Sequence, residues 1–320
     1  MLRSQQALAN ECEDGYLSKR VSPVPTSHFF SHLRLLSIMW PFSKSNVIPV
    51  LRFSGAIGMA SPLRPGLSLP NTAGQIEKAF KMSSLPAVVI SINSPGGSPV
   101  QSSLIFKRVR QLADENKKRV YVFCEDVAAS GGYYLAIAGD EIYADASSIV
   151  GSIGVVSAGF GFEKAIEKLG IERRVYTSGL NKGSLDPFLP EKAEDIARLK
   201  ALQRDVHDVF IGVVKDRRAA KLKGADSELF SGAFWSGPKA LELGLIDGVS
   251  DMRTKMRELY GDKVQLRMVS GPGGGLLGRL RRLPRVATAF SGGVNGLQFS
   301  LADDALSAIE IRSLWARYGL

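Results

Sequence analysis

Cysteine and histidine are both scarce in this chain: two cysteines, Cys12 and Cys124, and three histidines, His28, His32 and His207, among 320 residues. The cysteines lie far apart in unlike segments, so neither a disulfide framework nor a zinc-ligand spacing can be drawn from them. Long apolar runs are missing too, since no window reaches the ~18–20 apolar residues of a membrane span. The nearest, "HFFSHLRLLSIMWPF" from His28 to Phe42, is interrupted by two histidines and an arginine. It also lacks the apolar centre and small-residue cleavage pattern of a signal peptide. These gaps argue against metal, redox and membrane-spanning classes, and no cofactor is expected.

What is present is an ordinary globular composition. With 45% hydrophobic residues, 320 residues can bury a large core as one or two domains. The 41 basic against 31 acidic residues favour an anionic neighbour. Residues 1–46 read as a disordered N-terminal extension, with Met39 an alternative start. From residue 47 strand and helix signals alternate. "VIPVLRFSGAI", "PAVVISIN", "RVYVFCED", "EIYADA" and "RRVYTSG" read as strands. "NTAGQIEKAFKM", "PVQSSLIFKRVRQLADEN", a short stretch after Ser130 and "EKAIEKLG" read as helices. That alternation predicts an α/β fold with a mostly parallel sheet and flanking helices, its chemistry at the carboxyl ends of the strands.

Two of those strand ends carry glycines: "SPGGS" at 94–98 and "ASGGYY" around Ser130. Each offers backbone amides beside residues that permit close approach. Ser130 is either a helix N-cap with two turn glycines beside it or an exposed hydroxyl next to free amides, as acyl transfer requires. The spacing matches neither a Walker motif nor a dinucleotide fingerprint.

A nucleophilic serine needs a base. His28 and His32 precede the fold, and His207, on the long helix that begins near Pro190, is not well placed for a triad. A lysine can substitute only when neutral, and a lysine at ~10.4 is about 0.1% neutral at pH 7.4. Burial in a coverable loop, away from carboxylates, is therefore required. Lys164, Lys168 and Lys192 have glutamate neighbours and read as solvated surface charges. Lys182, in the turn "SGLNKGSLDPF" after a predicted strand, has Asp186 as its nearest carboxylate in sequence. It is either an exposed turn lysine or the base.

In order, "INSPGGS", "AASGGYYLAIAGDEIYAD", "GSIGV", "LNKGSLDPF" and "FSGAFWSGPKALELGLIDGV" resemble the landmarks of the signal peptide peptidase A family of serine peptidases, over about residues 47–269. The resemblance implies a ClpP/crotonase-like fold, a Ser-Lys dyad and assembly into homo-oligomeric rings. It makes Ser130 the nucleophile and Lys182 the base, and matches the amides of Gly131 and of Gly96 or Gly97 to the oxyanion hole. The motif set occurs once, so the lysine is open to being supplied by a neighbouring subunit. The expected substrates are signal-peptide-like or membrane-derived peptides. Two rivals share the fold: a crotonase-type acyl-CoA enzyme, which needs neither Ser130 nor Lys182, and a catalytically silent ring scaffold.

The remaining segments read as structural. Ile196, Leu199, Leu202, Val206, Val209, Phe210 and Val213 form one stripe of a helix, expected in the core or a subunit interface. Trp235 reads as packing. Residues 270–320 read as a basic Gly/Arg-rich linker and a C-terminal helix. Their "LLGRLRRLPR" is a candidate peripheral contact with an anionic membrane. Without aromatics among the arginines, nucleic acid is not an expected partner. The expected location is cytoplasmic or peripheral at the membrane.

Overall fold

A computed structural model describes residues 46–59, 66–270 and 308–320. The expected N-terminal extension through residue 45 and the basic segment from Leu276 to Arg285 lie outside the described residues.

The sheet is built around a strand whose eight residues are all buried, β2 (Ala87–Ser94). Such a strand must be central and covered on both faces, and its run of valine and isoleucine suits that position. It pairs in parallel with β1 (Val47–Ser54) on one side and β3 (Arg119–Ala129) on the other. Beyond β1 lies β8 (Gln265–Met268), also parallel. β3 serves two neighbours in succession. Its first half, Tyr121–Cys124, pairs with β4 (Glu141–Ala144), and its last residues, Val127–Ala129, pair with β5 (Ile149–Gly151). β7 (Gly248–Val249) extends the β4 side, and β6 (Phe234–Ser236) pairs with β5 in the antiparallel sense. This mostly parallel sheet with helices on its faces is the α/β architecture expected.

Alternation along the strands divides the core. Leu51, Phe53, Val88, Ile90, Val120 and Val122 face α1 (Leu69–Lys81) and α2 (Pro99–Asn116), which contribute Ile76, Phe80, Ile105 and Val109. Burying each of these large side chains contributes about 1.5–3 kcal/mol. Ile48, Val50, Val89, Tyr121 and Phe123 face the other way, toward Met256 of α8 (Met252–Tyr260). A short α3 (Gly131–Ala136) follows β3 directly.

One expectation needs correction. "RRVYTSG" forms no strand: residues 171–177, which follow α4 (Glu163–Lys168), have no partner, and Tyr176 is 91% exposed. The β-branched and aromatic residues there match a strand in pattern, but a strand needs a neighbour for its hydrogen bonds. The stripe on α5 (Ala193–Arg218) is covered only toward its end. Phe210 and Val214 are buried, whereas Leu202 and Val209 are about 60% exposed.

α5 ends on a buried ion pair. Arg218 donates to the Gly244 carbonyl at 3.0 Å and to Asp247 at 2.7 Å. α7 (Gly237–Glu242) runs into that Gly244 turn. Burial acts to raise the Asp247 carboxyl, but hydrogen bonds from Arg218 and Lys221 outweigh it and hold the group below the usual carboxylate range. A carboxyl depressed by folding contributes stability above its unfolded value of ~3.9 and loses that contribution as pH falls through the folded value. Arg218→Ala is therefore expected to cost about 3–5 kcal/mol at neutral pH, because it strands a buried carboxylate. Urea denaturation should show this loss shrinking below pH ~4, as Asp247 becomes protonated in both states.

Candidate active site

The carboxyl ends of β2 and β3 bring the two glycine loops together. After β2, Ser94 is fully buried. Its hydroxyl donates to the Gly55 carbonyl at 2.7 Å and accepts from Gly96 N at 3.2 Å. The chain then turns through Gly96 and Gly97 with φ of 105° and 137°, outside the range that side-chain-bearing residues readily adopt. Gly97 lies against Ile57: Ile57 N donates to Gly96 O and Ser98 N to Ile57 O, each at 2.8 Å. Ser98 then caps α2 by accepting from Gln101 N.

After β3, Ser130 adopts φ 52°, ψ −122°. Its amide donates to Gly151 O at 2.8 Å, and its carbonyl accepts from Tyr134 N at 3.0 Å as α3 begins. Ser130 thus holds the N-cap position of α3 as the sequence allowed, but its side chain makes no capping hydrogen bond, so the hydroxyl does not serve the helix. Gly131, first residue of α3, has no intrahelical acceptor for its amide. The loops touch: a Cβ on Gly96 would come within 2.8 Å of Ser130 Cβ and 2.9 Å of Gly131 N. Of the two glycines on the β2 side, Gly96 already spends its amide on Ser94. The Gly97 amide makes no backbone hydrogen bond among the described residues.

Ser130 lines two cavities. One, of about 330 Å³, is apolar, with Gly97, Gly131, Val100, Leu104, Tyr134 and Phe210 in its wall. The other, of about 320 Å³, is polar and includes Ser152, His207, Ser231 and Arg317. Cys124 is free and buried, its thiol pushed up to about 12 by burial, and it lines neither cavity.

Lys182 lines neither cavity. It is exposed, in a turn where its amide donates to Gly179 O at 3.2 Å. Asp186 pairs with Arg173 and accepts from Phe188 N at 3.0 Å. The hydrogen bond from Arg173 comes first among the causes that hold Asp186 below the usual carboxylate range. Sequence reasoning did not anticipate two groups beside Ser130. His207 bonds through Nε2 to Ile153 O at 3.1 Å; three residues before Phe210 on α5, it falls on the face directed at the body. Arg317 comes from the far C-terminal segment, and no local signal marks it.

Fold and site together define an α/β protein with a conformationally strained serine at the end of a central parallel strand. The family model for peptidase family S49 matches residues 113–265, and the chain belongs to that family. A candidate protease of Synechocystis sp., slr0021, is 31% identical over 73% of this chain and 84% of its own length. The chloroplastic serine protease SPPA of Arabidopsis thaliana is 31% identical over 64% of this chain and 31% of its own. A Brucella abortus protein named as the Na(+)/H(+) antiporter NhaA is 59% identical over 276 residues, 85% of this chain. The chain spans 37% of that relative's length.

The β2 loop admits no larger residue at its tightest point. A Cβ at Gly97 would overlap the Ile57 carbonyl oxygen. Gly97→Ala is expected to destabilise the fold by about 1–3 kcal/mol and distort the loop. Thermal denaturation reads the first effect, and faster amide hydrogen exchange in the loop at residues 95–98 reads the second.

Proposed function

We propose that this chain is a serine endopeptidase in which Ser130 attacks a peptide carbonyl and Lys182 of a neighbouring copy takes its proton. The observation that carries the reading is Ser130 itself, whose left-handed backbone aims an uncapped hydroxyl between two cavities beside the Gly97 and Gly131 amides. Those amides would hold the oxyanion of the tetrahedral intermediate. The lysine would then protonate the leaving amine, and water would repeat the cycle on the acyl-enzyme. The apolar cavity fits an aliphatic or aromatic substrate side chain. Signal-peptide-like or membrane-derived peptides suit such a site.

Assembly is part of the proposal. Between Val156 and Leu189 the chain exposes Phe160, Leu169, Tyr176 and Leu180 by 72% or more. An apolar arm of that kind is costly in water and is explained by burial against another copy. Lys182 lies within it, and a ring would cover the lysine as a neutral base requires. The Brucella relative is more than twice as long as the stretch this chain matches, so its antiporter name describes a longer protein; no helix among the described residues is long and apolar enough to cross a membrane.

His207 supports a second reading, in which the imidazole serves Ser130 within one chain, since it lines the same cavity. The pH profile separates the two. A lysine base gives a rate that rises toward alkaline pH, and a histidine base levels off above ~6.5.

Three variants test the reading with an apolar fluorogenic peptide. Ser130→Ala and Lys182→Ala are each expected to lose at least ~10³-fold in kcat/KM, and their double mutant no more. Mixed Ser130→Ala and Lys182→Ala protomers should recover roughly a quarter of the activity, because half the sites hold the serine and half of those meet an intact lysine. Full activity of Lys182→Ala with loss in His207→Ala would select the histidine reading. Absence of Ser130 labelling by a fluorophosphonate would return the chain to a silent scaffold or an acyl-CoA enzyme.

A further inference from the structure

The polar cavity differs from the apolar one in both chemistry and origin. Its wall combines Ser152, His207, Ser231 and backbone at Gly154 and Gly232 with one guanidinium, Arg317, and no carboxylate. Among the described residues Arg317 makes no ion pair. Arg317 enters from the end of the C-terminal helix, which is helical over 308–316 and turns at 317–319.

That turn is anchored. The adjacent Tyr318 is 7% exposed, its ring edge-on to Phe234 at 5.1 Å. Its hydroxyl lies 3.3 Å from Ser152 Oγ and 3.5 Å from the Pro95 carbonyl. Trp315 packs with it against Val127 and Ala129, the residues of β3 that lead into Ser130. Both hydroxyl partners belong to the site: Pro95 opens the glycine loop, and Ser152 follows the Gly151 whose carbonyl holds the Ser130 amide. A cation carried on this anchored turn, among hydroxyl donors and with no acid paired to it among the described residues, suits a carboxylate.

We propose that the polar cavity is a substrate subsite for a carboxylate, with Arg317 as its specificity-determining residue. It meets the apolar cavity at Ser130, so the favoured peptide carries both an apolar residue and an acidic group close to the scissile bond. The inference rests on Ser130 being the nucleophile, and it adds the class of substrate. Glutamate or aspartate side chains and a peptide's terminal carboxylate share the required chemistry. Arg317 is exposed, so the preference should weaken as salt rises.

The test uses the full chain and four matched peptides of one apolar core. One carries Glu next to the cleavage position on either side, and one carries Gln there. The other two end shortly beyond it as a free acid or as an amide. The wild type is expected to favour an acid over its neutral match by about tenfold in kcat/KM at low salt. The Glu/Gln pair and the acid/amide pair show which source of carboxylate fits. Arg317→Gln should abolish the ratio, while Arg317→Lys keeps part of it. Fluorescence anisotropy of the same peptides, labelled, on Ser130→Ala protein reads the preference without catalysis. An acid preference in binding without any hydrolysis would remove the peptidase reading and keep the subsite. Equal binding of acid and neutral peptides, or a ratio untouched in Arg317→Gln, overturns the proposal.

Discussion

A non-glycine residue at φ 52°, ψ −122° costs on the order of 1–3 kcal/mol and persists only where its surroundings leave it no alternative. Around Ser130 the constraint comes from both sides of one strand. β3 is held by β2 along its length, and its last three residues are gripped by β5. The β5 carbonyl at Gly151 then takes the Ser130 amide, and α3 begins at the next residue. The chain cannot relax the serine without unpairing the end of β3 or unwinding the helix.

The change of partner along β3 makes this possible. Between Ile92 and Ser94 the register of β2 against β3 shifts, leaving extra residues on β3. Asn93 fills the irregularity, donating to Asp126 at 2.6 Å and accepting from Val127 N at 3.3 Å. Bulges of this kind bend a strand and re-aim the residues beyond the bend. Here the bend carries β3 from β4 to β5 and delivers Ser130 beside the Gly96–Gly97 turn. The polar side chains at this sheet end are thus structural parts of the site.

The outer half of the molecule obeys a different logic. α5 buries its last turns and leaves its middle exposed, and the preceding arm bears apolar side chains that no described residue covers. At the other edge the C-terminal turn closes onto β3, β5 and β6 through Tyr318. One edge of the site is closed by Tyr318 and Trp315, and the other carries the exposed arm on which the proposed assembly rests.

Much of this was legible in local pattern, where local chemistry decides. α2 spans Pro99–Asn116 as its proline start and apolar spacing require, and the run of Val and Ile in β2 marked a strand buried on both faces. The glycine loops at two strand ends marked where Ser130 and the glycines would meet, although the loops alone left Ser130 open as a helix N-cap and only the family resemblance made these residues candidates for catalysis. Sequence left Gly96 and Gly97 equivalent. Tertiary structure separated them, since the Ser94 hydroxyl that occupies one amide is itself aimed by Gly55 across the sheet. "RRVYTSG" carried strand propensity without a strand, because pairing depends on a neighbour that propensity does not supply. His207 and Arg317 lay beyond any local reading: they reach Ser130 only when residues 77 and 187 positions further on fold back across it, and sequence separation carries no record of that approach.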